Sequence, residues 1–309
     1  METKDKKIYK IKGNKIVIND LSCFCIKHIL ECGQVFRFER LKNLENSGVI
    51  YCYLITSLDK IALVKEYENH AEILTKHTDY FVNYFDLDTD YNEIKNKLKN
   101  DKILCQAMTT GYGIRILKQD PLEMVISFII SANNNIKRIQ KSLQKIAFNF
   151  GNKVDDSIFL KSQGLLEEFD NYYAFPTLEQ LEKISQEDFK NVGVGFRDKY
   201  LFETIKTLKN INFENIKKLE TNEQINYLTK LKGIGTKVAD CILLFGLYNM
   251  QVFPVDTWVK KIYNSYYNTE NGIQNDVKII RKNLTDKFGD LSGYAQQYLF
   301  YFKRELEKQ

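Results

Sequence analysis

Short runs of hydrophobic residues separated by polar segments occupy the chain from about Lys7 to Glu66. The clearest runs are Lys15-Ile-Val-Ile and Val49-Ile-Tyr-Cys-Tyr-Leu-Ile-Thr, which are rich in β-branched and aromatic residues. Such runs, bounded by polar breaks, are typical of short strands. The pattern predicts a small antiparallel sheet at the N-terminal end of the chain.

From Asp90 onward the hydrophobic positions recur with helical spacing. Each of the three prolines lies near a proposed helix start, where a fixed φ and a missing N–H are tolerated. Three further segments resemble capping boxes, which satisfy the free N–H groups of a first helical turn. The prolines are Pro121, Pro176 and Pro254, and the boxes are Thr177 to Gln180, Ser185 to Asp188 and Thr221 to Gln224.

These two patterns predict an α+β fold with an N-terminal antiparallel β-sheet domain followed by a mainly α-helical core. We expect residues 1–115 to form the sheet domain with its connecting helices, and residues 116–309 to form the helical core. A length of 309 residues agrees with two or three packed units rather than one.

The formal net charge of +5 permits nucleic-acid binding but does not by itself indicate it. No apolar run approaches the ~18 residues that a membrane-spanning helix requires. We therefore expect no membrane partner. The sequence also shows no signal peptide, which predicts a cytoplasmic location, nucleoid-associated if the cell is bacterial.

The cysteines and histidines exclude several kinds of site. The six cysteines include no C-x-x-C pair, so we expect free thiols in a reducing compartment. None of them follows Cys241, and a C-terminal four-cysteine iron–sulfur loop therefore cannot form. The three histidines all lie in the first quarter of the chain, which leaves little for a zinc site or a serine–histidine triad. We expect no metal and no cofactor.

The segment Leu231-Lys-Gly-Ile-Gly-Thr-Lys-Val-Ala-Asp240 is the most informative motif in the chain. Gly233 and Gly235 flank one apolar residue, which predicts a tight hairpin with exposed backbone N–H groups. The helix that follows adds its positive N-terminal end, so a phosphate can bind there. The motif predicts a clamp for the DNA backbone over residues 231–240.

Lys237 lies in the first turn of the predicted helix, where we expect the helix dipole and any nearby cation to favour the neutral amine that a nucleophile requires. Asp256 follows Pro254-Val and is predicted to cap the next helix. We expect this carboxylate to stay ionised and to stabilise positive charge when a glycosidic bond breaks. A helix and a short turn between them allow the amine and the carboxylate to flank one pocket.

Val238, Cys241, Ile242 and Phe245 recur at helical spacing after the hairpin, which predicts a helix buried along one stripe. Lys237 and Cys241 are four positions apart and share a face. By itself, Cys241 has the pattern of a small core residue.

The run Gly-Ile-Gly-Thr-Lys-Val-Ala-Asp-Cys with its downstream Pro-Val-Asp resembles the helix-hairpin-helix DNA glycosylases, and within them the 8-oxoguanine DNA glycosylase family. The resemblance extends over nearly the whole chain and includes Lys118-Gln-Asp-Pro121. It implies that Lys237 and Asp256 are catalytic and that an extruded base binds beside Cys241.

The resemblance also implies residues that recognise the base. Gln296 would read its Watson–Crick edge, and Phe300 would stack on it opposite Cys241. The carbonyl of Gly33 would contact the lesion. Guanine presents N7 as an acceptor, whereas oxidation at C8 places a hydrogen on N7, so one backbone acceptor can favour the lesion.

A second set of residues would act where the base has left the duplex. By resemblance, Asn133 would fill the gap, Arg138 and Arg197 would contact the opposite cytosine, and Phe196 would intercalate as a wedge. By sequence pattern alone the asparagine run is a polar turn. The chain departs from the family in two places: many relatives have tyrosine at Phe196 and often histidine at Trp258. The departures put the strength of opposite-base discrimination and one phosphate contact in question.

The resemblance implies a bifunctional enzyme that excises 8-oxoguanine from duplex DNA by base flipping and then nicks the strand, in base excision repair. Its expected partner is double-stranded DNA containing 8-oxoguanine, and the expected state is a monomer. Two alternatives are an alkylated-base glycosylase of the same superfold, which typically lacks the lysine, and a non-catalytic DNA-binding module. Lys237 argues against the first, and its pairing with Asp256 argues against the second.

Overall fold

A six-stranded antiparallel sheet forms the N-terminal part of the computed structural model, which describes residues 7–45, 48–162, 172–268 and 272–307. The spatial order of its strands is β1-β2-β6-β5-β4-β3. The strands are β1 (Tyr9–Lys12), β2 (Lys15–Ile18), β3 (Phe38–Arg40), β4 (Tyr51–Ser57), β5 (Lys60–Glu66) and β6 (Ala71–Leu74). The predicted sheet is confirmed, with β6 extending it beyond Glu66.

The central strands β4 and β5 form a hairpin whose register runs from the Tyr51–Glu66 pair to the Ser57–Lys60 pair. Both faces of this hairpin are covered. On one face Tyr53 and Val64 join a core that packs against helices, and on the other Leu54 joins a smaller core. Burial on both sides explains why β4 is almost continuously apolar.

The remainder of the chain is mainly helical, as predicted. The α-helices are α1 (Ile26–Leu30), α2 (Thr78–Tyr84), α3 (Tyr91–Leu98), α4 (Lys102–Thr110), α5 (Pro121–Ser131), α6 (Ile136–Phe150), α7 (Ser157–Ser162), α8 (Leu178–Leu181), α9 (Gln186–Asn191), α10 (Asp198–Leu208), α11 (Phe213–Lys217), α12 (Thr221–Leu228), α13 (Thr236–Gly246), α14 (Thr257–Ile262), α15 (Val277–Phe288) and α16 (Ser292–Leu306). Short 3-10 turns cover Lys42–Leu44, Gly195–Arg197 and Gly289–Leu291, and a π-helical turn covers Tyr263–Tyr267. Helix α2 shows that helical structure begins before Asp90.

Two of the three predicted capping boxes are confirmed, those at Thr177 and Ser185. The third prediction was wrong by one residue, because α12 begins at Thr221 and its N-cap is Glu220. The Thr221 hydroxyl instead donates to the side chain of Gln251 at 2.8 Å. The local capping box is formed one residue earlier, between Glu220 and Glu223.

Helices α5 and α13 pack against each other at the centre of the helical part. Every residue of α13 from Val238 to Gly246 is buried, so the prediction of a single buried stripe was too narrow. Asp240, fully buried on α13, accepts two hydrogen bonds from Arg281 on α15 at 2.6 and 2.9 Å. A paired charge is therefore accommodated inside an otherwise apolar helix environment.

The main hydrophobic core contains residues from both predicted domains, from Cys23 to Phe302. Arg115, fully buried, donates to backbone carbonyls that include those of Cys23 and Phe85 at 3.0 Å. The shared core joins the two parts closely, and the boundary at residue 115 stays a prediction. Among the described residues, no helix has both the length and the apolar character needed to cross a membrane.

Candidate active site and DNA interface

The hairpin between α12 and α13 has the geometry that its glycines predict. Gly233 has φ +77°, and a Cβ there would lie 2.7 Å from the Cβ of Tyr200. Only glycine fits this close approach without a shift of the helix that carries Tyr200. Gly235, the N-cap of α13, is exposed and has open space where a Cβ would be. This open end allows an anion to approach the first turn of α13.

A cleft of about 340 Å³, which includes open solvent at its mouth, begins beside this first turn. Its lining brings together segments from α5, α13, α16, the segment before α14 and the segment after α1. The lining residues are Cys32, Gly33, Phe128, Lys237, Cys241, Phe245, Pro254, Asp256, Gln296, Gln297 and Phe300. All six residues predicted to be catalytic or base-binding therefore line one cleft.

Lys237 is the second residue of α13, and its Nζ lies 5.8 Å from the centre of the Phe128 ring. The Cys241 side chain raises the pKa of the Lys237 amine, burial lowers it, and Asp256 raises it, with a net upward direction. Burial raises the pKa of the Cys241 thiol to about 11, so at neutral pH the thiol acts on Lys237 as a neutral hydrogen-bond partner. The net direction is opposite to the expected one, but its largest cause is a thiolate charge that a neutral Cys241 does not carry, so the neutral amine at Lys237 stays a prediction.

Asp256 is the N-cap of α14, as predicted. Its Oδ1 accepts hydrogen bonds from the backbone N–H groups of Trp258 and Val259, both at 2.9 Å. Burial raises the pKa of Asp256, whereas these two hydrogen bonds and the charge of Lys237 lower it. The net shift is upward because burial outweighs these two influences on the pKa, and the prediction that the carboxylate stays ionised remains a prediction.

The predicted base-binding residues lie on the other side of the cleft. Gly33 has φ +85°, and a Cβ there would lie 3.2 Å from Cε1 of Phe300. The Gln296 side chain is 5% exposed, and its Oε1 has no hydrogen-bond partner in the described part of the chain. A buried amide oxygen without a partner is costly unless a ligand donates to it. The cleft is therefore suited to a polar, planar ligand.

The residues predicted to act at the opposite strand lie around the turn between α5 and α6. Asn133 is exposed with φ +50°, a conformation that asparagine tolerates better than most residues. Phe196 is 61% exposed, and its ring centre lies 4.3 Å from the Arg197 guanidinium. An exposed aromatic ring at a turn has the geometry of a wedge, and this role stays a prediction.

The two arginines of this set differ in their surroundings. Arg138 is exposed at the start of α6, whereas Arg197 is 6% exposed. Burial and the nearby Arg138 lower the pKa of Arg197. Because two like charges lie close together here, the surface favours an anionic or acceptor-rich partner.

Comparisons with known proteins agree with this geometry. The model of the 8-oxoguanine DNA glycosylase N-terminal domain matches residues 16–125, and that of the HhH-GPD superfamily base excision DNA repair proteins matches residues 126–288. An 8-oxoguanine glycosylase/lyase from Clostridium acetobutylicum, solved with double-stranded DNA containing cytosine opposite 8-oxoG, is 38% identical with a TM-score of 0.86, over 98% of this chain and 99% of its own.

Two curated relatives are similar over most of the chain. The N-glycosylase/DNA lyase of Saccharomyces cerevisiae is 30% identical, covering 94% of this chain and 85% of its own length. The N-glycosylase/DNA lyase OGG1 of Arabidopsis thaliana is 29% identical, covering 89% and 76%.

The chain belongs to the 8-oxoguanine DNA glycosylase family.

Sequence reasoning missed the aromatic wall of this family's cleft. Phe128 and Phe245 stack with ring centres 5.5 Å apart, and both line the cleft. Phe245 was expected only as a core residue of α13. The signal that could have identified Phe128 is weak, since it lies inside the continuous apolar run of α5.

Proposed function

We propose that this protein excises 8-oxoguanine from duplex DNA and then cleaves the resulting abasic site, with Lys237 as the nucleophile. The observation that carries the proposal is that Lys237 and Asp256 line the same cleft as Gly33, Gln296 and Phe300. The family membership of the chain and the names of its relatives support this activity.

The reaction begins with loss of a proton from the Lys237 ammonium, because only the neutral amine is a nucleophile. The amine then attacks C1′, and the glycosidic bond breaks with its electron pair moving to the base, which takes up a proton. Positive charge develops at the sugar in this step, and the Asp256 carboxylate stabilises it. The preorganised position of Asp256 at the start of α14 favours this role.

Strand cleavage proceeds through the covalent bond between the Lys237 nitrogen and C1′. Opening of the sugar ring converts the amine adduct to a protonated Schiff base, which acidifies the C2′ hydrogen. Removal of that proton drives β-elimination, in which the bond from C3′ to the phosphate oxygen breaks. Neither step requires a metal or a cofactor.

Lys237→Gln tests the proposal, because glutamine is polar and of similar length but has no basic amine. We expect it to abolish both base release and borohydride trapping on a duplex containing 8-oxoguanine, and to retain lesion binding. Lys209→Gln, which changes an exposed lysine after α10, is the matched control and should behave as wild type. An adduct formed by the Lys237 variant at the wild-type rate would exclude this nucleophile.

The same assay separates the two alternatives. An alkylated-base glycosylase would release an alkylated purine and leave 8-oxoguanine in place. A non-catalytic DNA-binding module would release neither. We also propose a monomer in the cytoplasm, nucleoid-associated in a bacterium; its cysteines are free in the structure, in agreement with a reducing compartment.

A further inference from the structure

Helix α16 carries two side chains, beside its predicted base-binding residues, that bind the backbone just before Gly33. Gln297 Nε2 donates to the carbonyl oxygen of Cys32 at 2.7 Å, in a fully buried position. Arg304 Nη2 donates to the carbonyl oxygen of Glu31. One helix therefore positions both the base-binding side chains and the segment that leads to Gly33.

The segment is also held after Gly33. Gln119 Nε2 donates to the carbonyl oxygen of Gln34 at 2.8 Å, and the Gln34 amide donates to the carbonyl of Ile29 at 2.9 Å. The carbonyl oxygen of Gly33 differs from its neighbours, because within the described ranges no group donates to it. An acceptor is thus left free at Gly33, where an added Cβ would lie 3.2 Å from Cε1 of Phe300.

Arg304 forms a further contact between helix α16 and the segment around Gly33. Its guanidinium carbon lies 5.7 Å from the centre of the Phe300 ring, and its Nη1 lies 3.5 Å from the position of a Cβ on Gly33. Nη1 is buried and has no hydrogen-bond partner among the described residues. The guanidinium therefore packs against the predicted stacking ring and the predicted lesion contact at once.

The position of the Gly33 carbonyl determines how well it discriminates 8-oxoguanine from guanine. A hydrogen bond from the N7–H of 8-oxoguanine requires about 2.7–3.2 Å between heavy atoms and weakens steeply when misaligned. Guanine would place its N7 lone pair against the same oxygen, and this repulsion also depends on a fixed carbonyl. A segment free to rotate would lose both the attraction and the repulsion.

We propose that Gln297 and Arg304 are positioning residues for lesion specificity, holding the Glu31–Cys32 backbone so that the Gly33 carbonyl meets N7 of the extruded base. This inference rests on the proposed function. Neither side chain is a predicted base contact. Their proposed role is to fix the position of one backbone acceptor, the Gly33 carbonyl.

The test compares binding of two duplexes, one with 8-oxoguanine and one with guanine, each carrying a 2′-fluoro sugar at the target nucleotide to prevent cleavage. Gln297→Met keeps the size of the side chain and removes the donor, and Arg304→Met removes the guanidinium. Arg304→Lys retains a donor and a charge. Lys303→Met, on the same helix and paired only with Glu307 in the described structure, is the control.

We expect Gln297→Met and Arg304→Met each to reduce the ratio of guanine Kd to 8-oxoguanine Kd by roughly five- to tenfold, the effect of one hydrogen bond. The loss should arise from weaker lesion binding together with tighter guanine binding, because a freed carbonyl loses both the attraction to N7–H and the repulsion from the guanine N7 lone pair. Arg304→Lys should restore most of the ratio, and Lys303→Met should leave it unchanged.

A lower melting temperature with an unchanged ratio would mean that the two side chains only stabilise the fold, and would overturn the inference. If Gln297→Met fails to fold, the Kd ratios of Arg304→Met and Arg304→Lys test the inference, since Arg304 is partly exposed. A wild-type protein that neither excises 8-oxoguanine nor prefers it would overturn the proposed function instead. The two failures are therefore distinguishable.

Discussion

Arg197 donates a hydrogen bond from Nη2 to the carbonyl oxygen of Asn133 at 2.9 Å. The same guanidinium donates to the carbonyl of Ala132, from Nε at 2.9 Å, and to that of Val194, from Nη1 at 3.0 Å. These bonds hold the turn in which Asn133 has a positive φ. Arg197 therefore joins the predicted wedge to the predicted gap-filling residue, and it must exchange some of these bonds before it can contact a base.

Arg138 is exposed, whereas Arg197 is buried and bonded to the Asn133 turn, and this difference leads to a prediction about the opposite base. Both arginines offer donors to the acceptor edge of an unpaired cytosine, so excision opposite cytosine should be fastest among the four bases. Arg138→Ala should compress the spread of rates, mainly by slowing excision opposite cytosine. Arg197→Ala should instead slow excision opposite every base, because it releases the Asn133 turn. Single-turnover rates with cytosine, thymine, guanine and adenine opposite the lesion are the measurement.

Equal rates opposite all four bases in the wild-type protein would show that neither arginine reads the base. A uniform loss for Arg138→Ala would assign that residue to a phosphate contact or to the scaffold.

Phe196 gives a second prediction about the same strand. Among the described residues, its ring makes an edge-on contact with Tyr200, at 6.3 Å between ring centres, and a contact with the Arg197 guanidinium. A phenylalanine has no hydroxyl to fix its position beside the opposite base. We expect Phe196→Tyr to widen the ratio between the cytosine and adenine rates. An unchanged ratio would mean that the wedge takes no part in discrimination.

Asp256 allows its structural and chemical roles to be separated. Asp256→Asn should slow excision by one to several orders of magnitude because it removes the negative charge. Its stability should stay near that of wild type, since asparagine also accepts from the N–H groups of Trp258 and Val259. Asp256→Ala should lose both the excision rate and the helix cap, and its free energy of unfolding should be about 0.5–2 kcal/mol lower. Urea unfolding and single-turnover rates test both variants; an undiminished rate for Asp256→Asn would leave only the capping role.

The raised pKa of Lys237 predicts how excision depends on pH. The ammonium form predominates below the pKa, so the fraction of neutral amine rises tenfold for each pH unit. Single-turnover excision should therefore increase with pH between about 6 and 9, with a slope approaching one on logarithmic axes. A rate independent of pH over this range would show that the amine has already lost its proton in the DNA complex.

Glu123 predicts a pH dependence of stability. It forms a buried ion pair with Arg37 at 3.3 Å, and burial raises its pKa to about 7. A carboxyl with a raised folded-state pKa contributes stability that is fully present below its unfolded pKa and is lost as pH rises through the folded value.

Glu123→Gln should therefore gain stability relative to wild type as pH increases from its ordinary value near 4.5 to about 7. The change should approach about 1.4 kcal/mol per pH unit. Urea unfolding at several pH values measures it, with Glu93→Gln at an exposed pair as the control. A difference in free energy of unfolding between the variant and wild type that does not change with pH would contradict the raised pKa of Glu123.

Some features of this protein were determined by residues close together in sequence. The hairpin follows from the spacing of Gly233 and Gly235, and the cap at Asp256 follows from the residues after it, because turns and helix starts depend on local backbone conformation. The sheet was indicated by short runs rich in β-branched and aromatic residues, which are also a local feature of the sequence. The chemical assignment of Lys237 and Asp256 came from this local motif and its resemblance to a family.

Other features were decided only by the tertiary structure. The residues joined by the Gln297–Cys32 hydrogen bond are 265 positions apart, and no local pattern indicates that they meet. Cys241 and Asp256 raise the pKa of Lys237 and burial lowers it, so this pKa depends on side chains brought together by packing as well as on position in a helix. The bonds of Arg197 and the hydrogen bond from Thr221 to Gln251 likewise depend on partners brought by packing. Local spacing thus determines which groups are present in this site, whereas packing over the whole chain decides their partners and protonation.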